Sequence, residues 1–441
     1  MKRRALFALT ALSLSLSADA TDLTQRFIQI SAKTKEERTQ AVNAGMSIEF
    51  VRSDSAWGFA DARTIHEIES HGLHVLGNFD EAIGRGGHGD RGKGFPSEDS
   101  RFHDYAEVRA ELRRMEKENP KHAKVHTIGK SLEGREILAI QLNTDTGSLE
   151  RGQSQKPGMI FLGAHHAREH LSSEIPLMLA DYLLKNKTDP KISSLLDGRD
   201  VWFVPLVNPD GSEYDIESGR YLSWRKNRRP NGDGTSGVDL NRNYGYQWGT
   251  GGSSTNTNSD VYMGPKPFSE PETQVMKSFV ESHLNARILL SFHTFSELIL
   301  YPWGHKYDGV ENEKDHSVFV TMAKTMAQWN RYKPQQASQL YIASGDTTDW
   351  AYGEHGIFAF TFELSPASIW SGGFYPGAKV IDPTFAANLK PALYMLELAD
   401  DPYRAAGTTP PGRRPGSTWP NPISARNKFE IHPIYFDEKS R

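Results

Sequence analysis

A dense cluster of histidines and acidic groups follows a short apolar run. Residues 163–170 have the sequence GAHHAREH, and the apolar run at 159–162 is typical of a buried strand. Sites in open α/β sheets form at the carboxyl ends of strands. His166 and Glu169 are three residues apart, so on one helical turn their side chains face the same way. Such a pair can supply two of the three protein ligands of a catalytic zinc.

The H-x-x-E pair alone is a weak signal, because it arises often by chance and a solvated helix start is the better default. A third histidine, His293, strengthens it, since it ends another apolar run at 288–292 and so lies at the same edge of the predicted sheet. Asp239 is a candidate partner for a ligating imidazole, because such rings usually donate their other N–H to an oxygen. His165 and His170 compete as ligands, but neither has the three-residue spacing to a carboxylate, and we interpret both as supporting or structural.

One glutamate interrupts an otherwise apolar run. Glu363 stands in the sequence FTFEL, and a carboxylate there is costly unless it is paired or faces a cavity. A glutamate beside zinc-bound water can take its proton and pass it to a leaving amine. The alternative is an edge-strand glutamate that faces solvent.

Arginines are concentrated in two later segments, 224–229 and 238–243. Most such charge runs are solvated faces. A substrate with a free carboxylate, however, needs a planar bidentate donor, and a carbonyl that becomes an oxyanion needs another. Two arginines beside a zinc would suit peptide cleavage at a free C-terminus.

The elements that must position these groups alternate between strand and helix from residue 102 onward. This alternation predicts one mixed, largely parallel sheet with helices on both faces. Strands are expected at 137–142, 159–162, 201–207, 288–292 and 357–362, and helices at 105–115, 175–184, 270–284, 319–329 and 385–398.

The regions before and after this block have a different composition. Residues 1–20 have a basic start, an apolar run and an A-x-A site, which predicts an export signal; a buried helix is the alternative. Residues 21–83 alternate as a small α+β unit, with a helix expected at 35–43 and a strand at 47–51, and the Gly-rich stretch within 84–100 predicts an exposed, cleavable linker. This order suggests a propeptide; an ordinary N-terminal domain is the alternative. The main domain is expected at 101–402, followed by a Pro-rich extension at 403–441.

The overall composition excludes several classes of protein. The 441 residues include 37% hydrophobic residues, enough for a large core. The net charge of −4 gives no reason to expect nucleic acid or an anionic membrane as partner, and no later apolar run is long enough for a membrane anchor. The absence of cysteine excludes disulfides and thiol catalysis.

Four ordered blocks between residues 101 and 402 resemble the zinc metallocarboxypeptidases of the pancreatic A/B type (the M14 family), and within them most of all the bacterial carboxypeptidase T branch. The blocks are HARE at 166–169, NPDG at 208–211 with WRKNR at 224–228, GVDLNRN at 237–243, and SFH at 291–293 through 364. The resemblance implies a mixed eight-stranded α/β sheet, one Zn²⁺ and hydrolysis of the C-terminal peptide bond. Members of the family are often secreted proenzymes whose N-terminal domain shields the site until a protease cuts the linker.

The resemblance also implies a role for each matching position. These roles are zinc ligation by His166, Glu169 and His293; general base for Glu363; polarisation of the scissile carbonyl by Arg228; binding of the terminal carboxylate by Asn241, Arg242 and Tyr341, with Tyr341 on a mobile loop; contact with the preceding residue by Arg168; and support of the first zinc histidine by Asp239.

The chain departs from the family at two places. Phe295 stands where many members have tyrosine. Basic-specific members have an acid at the position of Thr348, which this chain lacks, whereas the carboxypeptidase T branch resembles it in having an acid at Asp346. That branch is associated with release of both apolar and basic residues, and its members bind structural Ca²⁺, for which we assign no ligands here.

The leading hypothesis is therefore a secreted or periplasmic zinc exopeptidase that acts on peptide or protein C-termini. One alternative is a metallopeptidase for cell-wall peptides. Another is an inactive homologue, which would bind peptides that have a free C-terminal carboxylate but release no amino acid from them.

Overall fold

The computed structural model describes residues 22–80 and 94–410. The predicted signal at 1–20, most of the Gly-rich linker and most of the Pro-rich extension lie outside these described residues.

The N-terminal unit is a small sheet covered by two helices. Its strands are β1 (Arg26–Ser31), β2 (Ser47–Val51), β3 (Ser55–Ala60) and β4 (Val75–Asn78), in the order β2-β3-β1-β4. Helix α1 (Lys35–Asn43) begins with a capping box between Thr34 and Glu37, and α2 (Ala62–Ser70) begins at Asp61, whose carboxylate accepts from the Thr64 N–H. These caps satisfy backbone donors that would otherwise have no partner.

The second unit contains an eight-stranded sheet in the order β11-β10-β12-β9-β7-β8-β6-β5. Its strands are β5 (Ala123–Lys130), β6 (Glu136–Leu142), β7 (Gly158–Leu162), β8 (Asp200–Val204), β9 (Ala286–Thr294), β10 (Leu298–Tyr301), β11 (Lys333–Gln336) and β12 (Phe358–Leu364). The central strands β12, β9, β7 and β8 are parallel to one another, and antiparallel pairs occur towards both edges. The predicted mixed sheet is confirmed.

Helices cover both faces of this sheet. They are α3 (Tyr105–Glu118), α4 (Thr146–Arg151), α5 (Leu171–Lys185), α6 (Pro190–Gly198), α7 (Pro209–Ile216), α8 (Pro271–Ser282), α9 (Glu313–Asn330), α10 (Thr347–His355) and α11 (Ile381–Leu398). Alternate residues of β9 point to opposite faces: Leu290 packs in the core with α5, α9 and α11, whereas Leu289 packs in the core with α8 and α10.

Residues at two predicted boundaries pack on the second unit. Residues 94–100, predicted as part of the exposed linker, pack on the second unit, where Asp99 is buried. Tyr403, the first residue of the predicted extension, is buried, and its hydroxyl donates to the Asp315 carboxylate at 2.7 Å. Across 22–80 and 94–410, no helix combines the length and apolar character needed to cross a membrane.

Candidate metal centre and substrate pocket

Two histidines and one glutamate converge at the carboxyl ends of the central strands. His166 Nδ1 lies 2.7 Å from Glu169 Oε1 and 3.2 Å from His293 Nδ1, and the latter lies 3.0 Å from Glu169 Oε2. All three residues are buried. His166 and Glu169 follow β7, and His293 lies on the neighbouring strand β9, so the parallel pairing of these strands brings the sequence-distant groups together.

The donor set fits a zinc ion. Ligand atoms about 2.0–2.1 Å from a tetrahedral zinc are separated by about 3.3 Å, close to the spacing between the two imidazole nitrogens here. Burial alone would raise the pKa of the Glu169 carboxyl, but His166 and His293 hold this pKa below its usual range, so the group is an anionic ligand.

The opposite edges of both imidazoles are held by other side chains. His166 Nε2 lies 3.1 Å from Asp239 Oδ1, as expected for the predicted partner, and His293 Nε2 lies 3.1 Å from the Ser291 hydroxyl. These contacts orient both Nδ1 atoms towards the shared centre. His165 is fully buried and lies behind His293; burial lowers the pKa of its imidazole, which remains neutral and supports the centre from outside it.

Glu363 lies in the same pocket as the three ligands. It occupies β12 directly opposite His293 on β9, so the register of two parallel strands sets its place beside the centre. Burial, which is stronger than the opposing effect of His293, raises the pKa of the Glu363 carboxyl to about 8. A carboxyl with a raised pKa can take up and return a proton near neutral pH.

Arg228, predicted to polarise the scissile carbonyl, lies elsewhere. Its guanidinium stacks on the Tyr214 ring, 3.4 Å from the ring centre, and it does not line the pocket. Arg225 lines the pocket instead: its Nε and Nη2 donate to Asp239 Oδ2 at 3.1 and 3.0 Å, and its Nη1 lies 3.8 Å from Glu169 Oε1. The structure therefore places Arg225, and not Arg228, beside the candidate metal ligands, because the irregular segment turns these two neighbouring arginines in different directions.

The residues predicted to bind a terminal carboxylate also line the pocket. Arg242 donates from Nε to the Gly252 carbonyl at 3.0 Å and from Nη1 to the Asn241 carbonyl at 2.8 Å, which fixes its guanidinium. The Asn241 side-chain oxygen accepts from the Thr347 N–H at 2.9 Å. Tyr341 completes this side of the pocket, and its hydroxyl donates to the Ile48 carbonyl of the N-terminal unit at 3.3 Å.

Asp346 and Thr348 line a further part of the pocket. Asp346 Oδ1 accepts from the N–H groups of Thr348 and Asp349 at 2.9 and 3.0 Å, because Asp346 caps α10. Its other oxygen, Oδ2, is buried and finds no hydrogen-bond donor within the described ranges. Burial, together with the negative charge of Asp349, raises the pKa of Asp346 to about 6.

Arg168 is fully buried between the two units. Its Nη2 donates to Glu49 Oε1 of β2 at 2.6 Å and its Nη1 to Asp260 Oδ2 at 2.8 Å. The guanidinium lies between the rings of Phe59 and Phe374, at 4.6 and 4.4 Å from their centres. The N-terminal unit thus occupies the surface on which the residue before the cleaved bond was predicted to lie.

Sequence analysis missed Arg225 and Glu49. Arg225 belongs to the arginine run at 224–229, and nothing in the sequence of that run distinguishes it from Arg228. Glu49 is a single acid in a short amphipathic strand, and its contact with Arg168 depends on how the two units pack, which no local pattern reveals.

Comparison with known proteins places this geometry in context. The zinc carboxypeptidase family model matches residues 108–390. The chain is 33% identical over 398 residues to a zinc carboxypeptidase of Saccharothrix mutabilis subsp. capreolus, covering 86% of this chain and 90% of that protein. It is 31% identical over 310 residues to carboxypeptidase B of Astacus astacus, covering 68% of this chain and 98% of the relative.

Solved structures agree with the sequence comparisons. Carboxypeptidase A from Helicoverpa armigera superimposes with a TM-score of 0.67 at 25% identity, over 88% of this chain and 100% of that chain. Thrombin activatable fibrinolysis inhibitor shares the fold, with a TM-score of 0.65 at 22% identity over 85% of this chain and 99% of that chain. With a family match over more than half of its length, and with a His-Glu-His centre at the expected strand ends, the chain belongs to the zinc carboxypeptidase family and is a metallocarboxypeptidase hydrolase.

Proposed function

We propose that this chain is an exported proenzyme that, once cut in its linker, releases single residues from peptide C-termini, with apolar and basic residues both accepted. The observation that carries the proposal is one pocket lined by His166, Glu169 and His293 together with Glu363 and the fixed guanidinium of Arg242. This combination places a hydrolytic centre beside a group suited to a terminal carboxylate.

The chain's own groups have distinct tasks in this hydrolysis. A zinc ion held by the two histidines and Glu169 would supply Lewis acidity and a water of lowered pKa. Glu363 accepts the proton of the attacking water and delivers it to the leaving amine. Arg225 donates towards the carbonyl oxygen as negative charge develops there. Asn241, Arg242 and Tyr341 bind the terminal carboxylate, so that only the last peptide bond reaches the centre.

Proenzyme status is supported by the position of the N-terminal unit. Ile48, Glu49, Phe50 and Val51 line the pocket together with the catalytic groups. Helix α1 also holds the Tyr341 loop: Arg38 donates to the carbonyls of Leu340 and Gln339 at 2.5 and 3.0 Å. A substrate cannot reach Arg168 and Arg225 while β2 lies there. A protease that cuts the linker, followed by departure of residues 21–83, would open the pocket. The proposed export signal at 1–20 would place this step in the periplasm or outside the cell.

Acceptance of basic residues is supported by Asp346. Its buried Oδ2 within the pocket can accept from a lysine or arginine side chain of the substrate. Thr348 donates its hydroxyl to the other oxygen at 2.5 Å and adds no charge, so apolar residues are not excluded.

The test uses the full chain cut in its linker and loaded with zinc. N-blocked peptides that end in Phe, Leu, Arg, Lys or Glu are incubated with the enzyme, with and without a zinc chelator. We expect chelator-sensitive release of the last residue, little cleavage of C-terminally amidated peptides, and no turnover by Glu363→Gln although its zinc content is unchanged. Good cleavage of amidated peptides would contradict the terminal-carboxylate assignment. No release by zinc-loaded enzyme would favour a cell-wall peptidase or a binding protein instead.

A further inference from the structure

The segment that follows the linker is attached to two loops of the second unit through one buried carboxylate. Asp99 Oδ2 accepts from the Tyr221 hydroxyl at 2.6 Å, and its Oδ1 accepts from the Ala378 N–H at 2.7 Å. Asp99 is 5% exposed, whereas the adjacent Glu98 is exposed. Asp99 therefore joins two loops that are far apart in the sequence.

The loop of Tyr221 leads to Arg225 in the pocket, and Tyr375 of the other loop packs against it. The Tyr221 ring stacks on Tyr375 with 3.9 Å between ring centres. The Tyr375 hydroxyl accepts from the Ser223 N–H at 3.1 Å and donates to the Asp215 carboxylate at 2.9 Å. Asp215 also accepts from the Trp224 N–H at 2.7 Å. Residues 221–224 are thus held at three successive points just before Arg225.

The held segment contains a backbone conformation that needs such support. Ser223 has φ of +57°, which is unfavourable for a residue with a Cβ atom. This conformation directs the Ser223 carbonyl to Arg168 Nη1, at 3.1 Å, while Arg225 two residues later lines the pocket. The contacts of Tyr221 and Tyr375 stabilise this turn, and their loss would make the segment more mobile.

We propose that Asp99 is a positioning residue for Arg225, acting through Tyr221 and Tyr375, and that the segment from residue 94 is consequently a working part of the mature enzyme. Cleavage that activates the chain must then fall before Phe95. The proposal rests on the proposed function for its kinetic consequence, although the structural coupling stands independently of it.

The kinetic test compares Asp99→Ala with the matched control Glu98→Ala, both cut in the linker and loaded with zinc. We expect Asp99→Ala to lower kcat about tenfold with a change in KM below about threefold, because Arg225 acts mainly in the transition state. Glu98→Ala should match the parent. Asp99→Asn, which keeps an acceptor for Ala378 and a polar partner for Tyr221, should restore most of the rate. In an Arg225→Ala background, Asp99→Ala should reduce kcat by less than about twofold.

A second measurement does not depend on activity. Hydrogen exchange at the Ser223 and Trp224 amides should be about tenfold faster in Asp99→Ala than in the parent or Glu98→Ala. If Asp99→Ala does not fold, Tyr221→Phe, which keeps the stacked ring and loses the hydroxyl, carries both measurements. Exchange and kcat equal to the control would overturn the proposal, as would an equal loss of rate in the Arg225→Ala background. An inactive parent with faster exchange in the variant would count against the proposed function alone.

Discussion

Arg225 and Arg228 are three residues apart but occupy different environments. Arg225 is buried between Asp239 and Glu169, and Arg228 lies on the ring of Tyr214. A sequence run cannot distinguish them, because side-chain directions in an irregular segment follow no fixed period. The strand end at His293 is a regular feature that the sequence predicts more reliably, and the structure brings it together with His166 and Glu169, which lie in the turn between β7 and α5 and not on a helix.

This difference gives a direct prediction. Arg225→Ala should lower kcat by about 10²- to 10³-fold, as expected when a donor to the developing oxyanion is lost. Arg228→Ala should remain within about threefold of the parent, since the change removes a contact with Tyr214 outside the pocket. Steady-state kinetics on a Leu-terminal peptide would measure both, with thermal unfolding as the control for folding. A larger loss in Arg228→Ala than in Arg225→Ala would reverse the assignment.

Asp346 predicts a preference that changes with pH. The pKa of its carboxyl is raised to about 6 by burial and by Asp349. Above this pH the carboxylate is charged and attracts a basic side chain; below it the group is neutral. The ratio of kcat/KM for Lys-terminal to Leu-terminal peptides should therefore fall as the pH is lowered through about 6. Asp346→Asn should give a low ratio that is flat across this range. A parent ratio independent of pH would show that Asp346 does not contact the substrate side chain.

At the scale of elements, the regular amphipathic segments were predicted well and the edge strands were not. Helix α1 and strand β2 have the bounds expected from the sequence. Strand β11 has the sequence KPQQ, and its proline and polar residues give no strand pattern. It nevertheless pairs through its backbone with β10 at the sheet edge. Strand β5 at the other edge was also missed. The predicted sheet therefore contained the central strands that carry the metal ligands but not its edges.

The contact between α1 and the Tyr341 loop is a property of whole elements. Arg38 binds two loop carbonyls, and the Thr39 hydroxyl oxygen accepts from the Ile342 N–H at 2.9 Å. In the uncut chain, Arg38→Ala should speed hydrogen exchange at the Ile342 amide by about tenfold, while exchange in the central strand β9 stays unchanged. Gln40→Ala, a change at an exposed position on the same helix, serves as the control. Equal exchange in the two variants would mean that α1 does not hold the loop.

At the scale of the whole molecule, the two units meet across charged groups of the catalytic pocket. The Glu49 carboxylate lies 2.6 Å from the Arg168 guanidinium and 3.9 Å from that of Arg225. Burial beneath β2 removes these cations from water, and Glu49 adds an anion to those that Asp260 and Asp239 already provide. The packing of the two units could not be predicted from the sequence, because Glu49 and Arg168 meet only after both units have folded.

This interface predicts inhibition by the separated N-terminal unit. After cleavage, the fragment should inhibit peptide hydrolysis when added back, and Glu49→Ala should weaken inhibition by at least about 30-fold, the lower range for loss of a buried charged pair. Titration of activity against fragment concentration measures this. Glu67→Ala, on the exposed side of α2, is the matched control. If both fragments inhibited equally, the ion pair with Arg168 would contribute nothing to the affinity.

The hydrogen bonds between Arg38 and the Tyr341 loop limit which changes of sequence would disturb the contact between the two units. The guanidinium binds main-chain oxygens of Gln339 and Leu340, which every amino acid possesses. Side chains at these two positions can therefore change without removing either hydrogen bond. The N-terminal unit binds the backbone of this loop and not its side chains. Substitutions that change the substrate preference can therefore arise in the loop while the N-terminal unit still binds it.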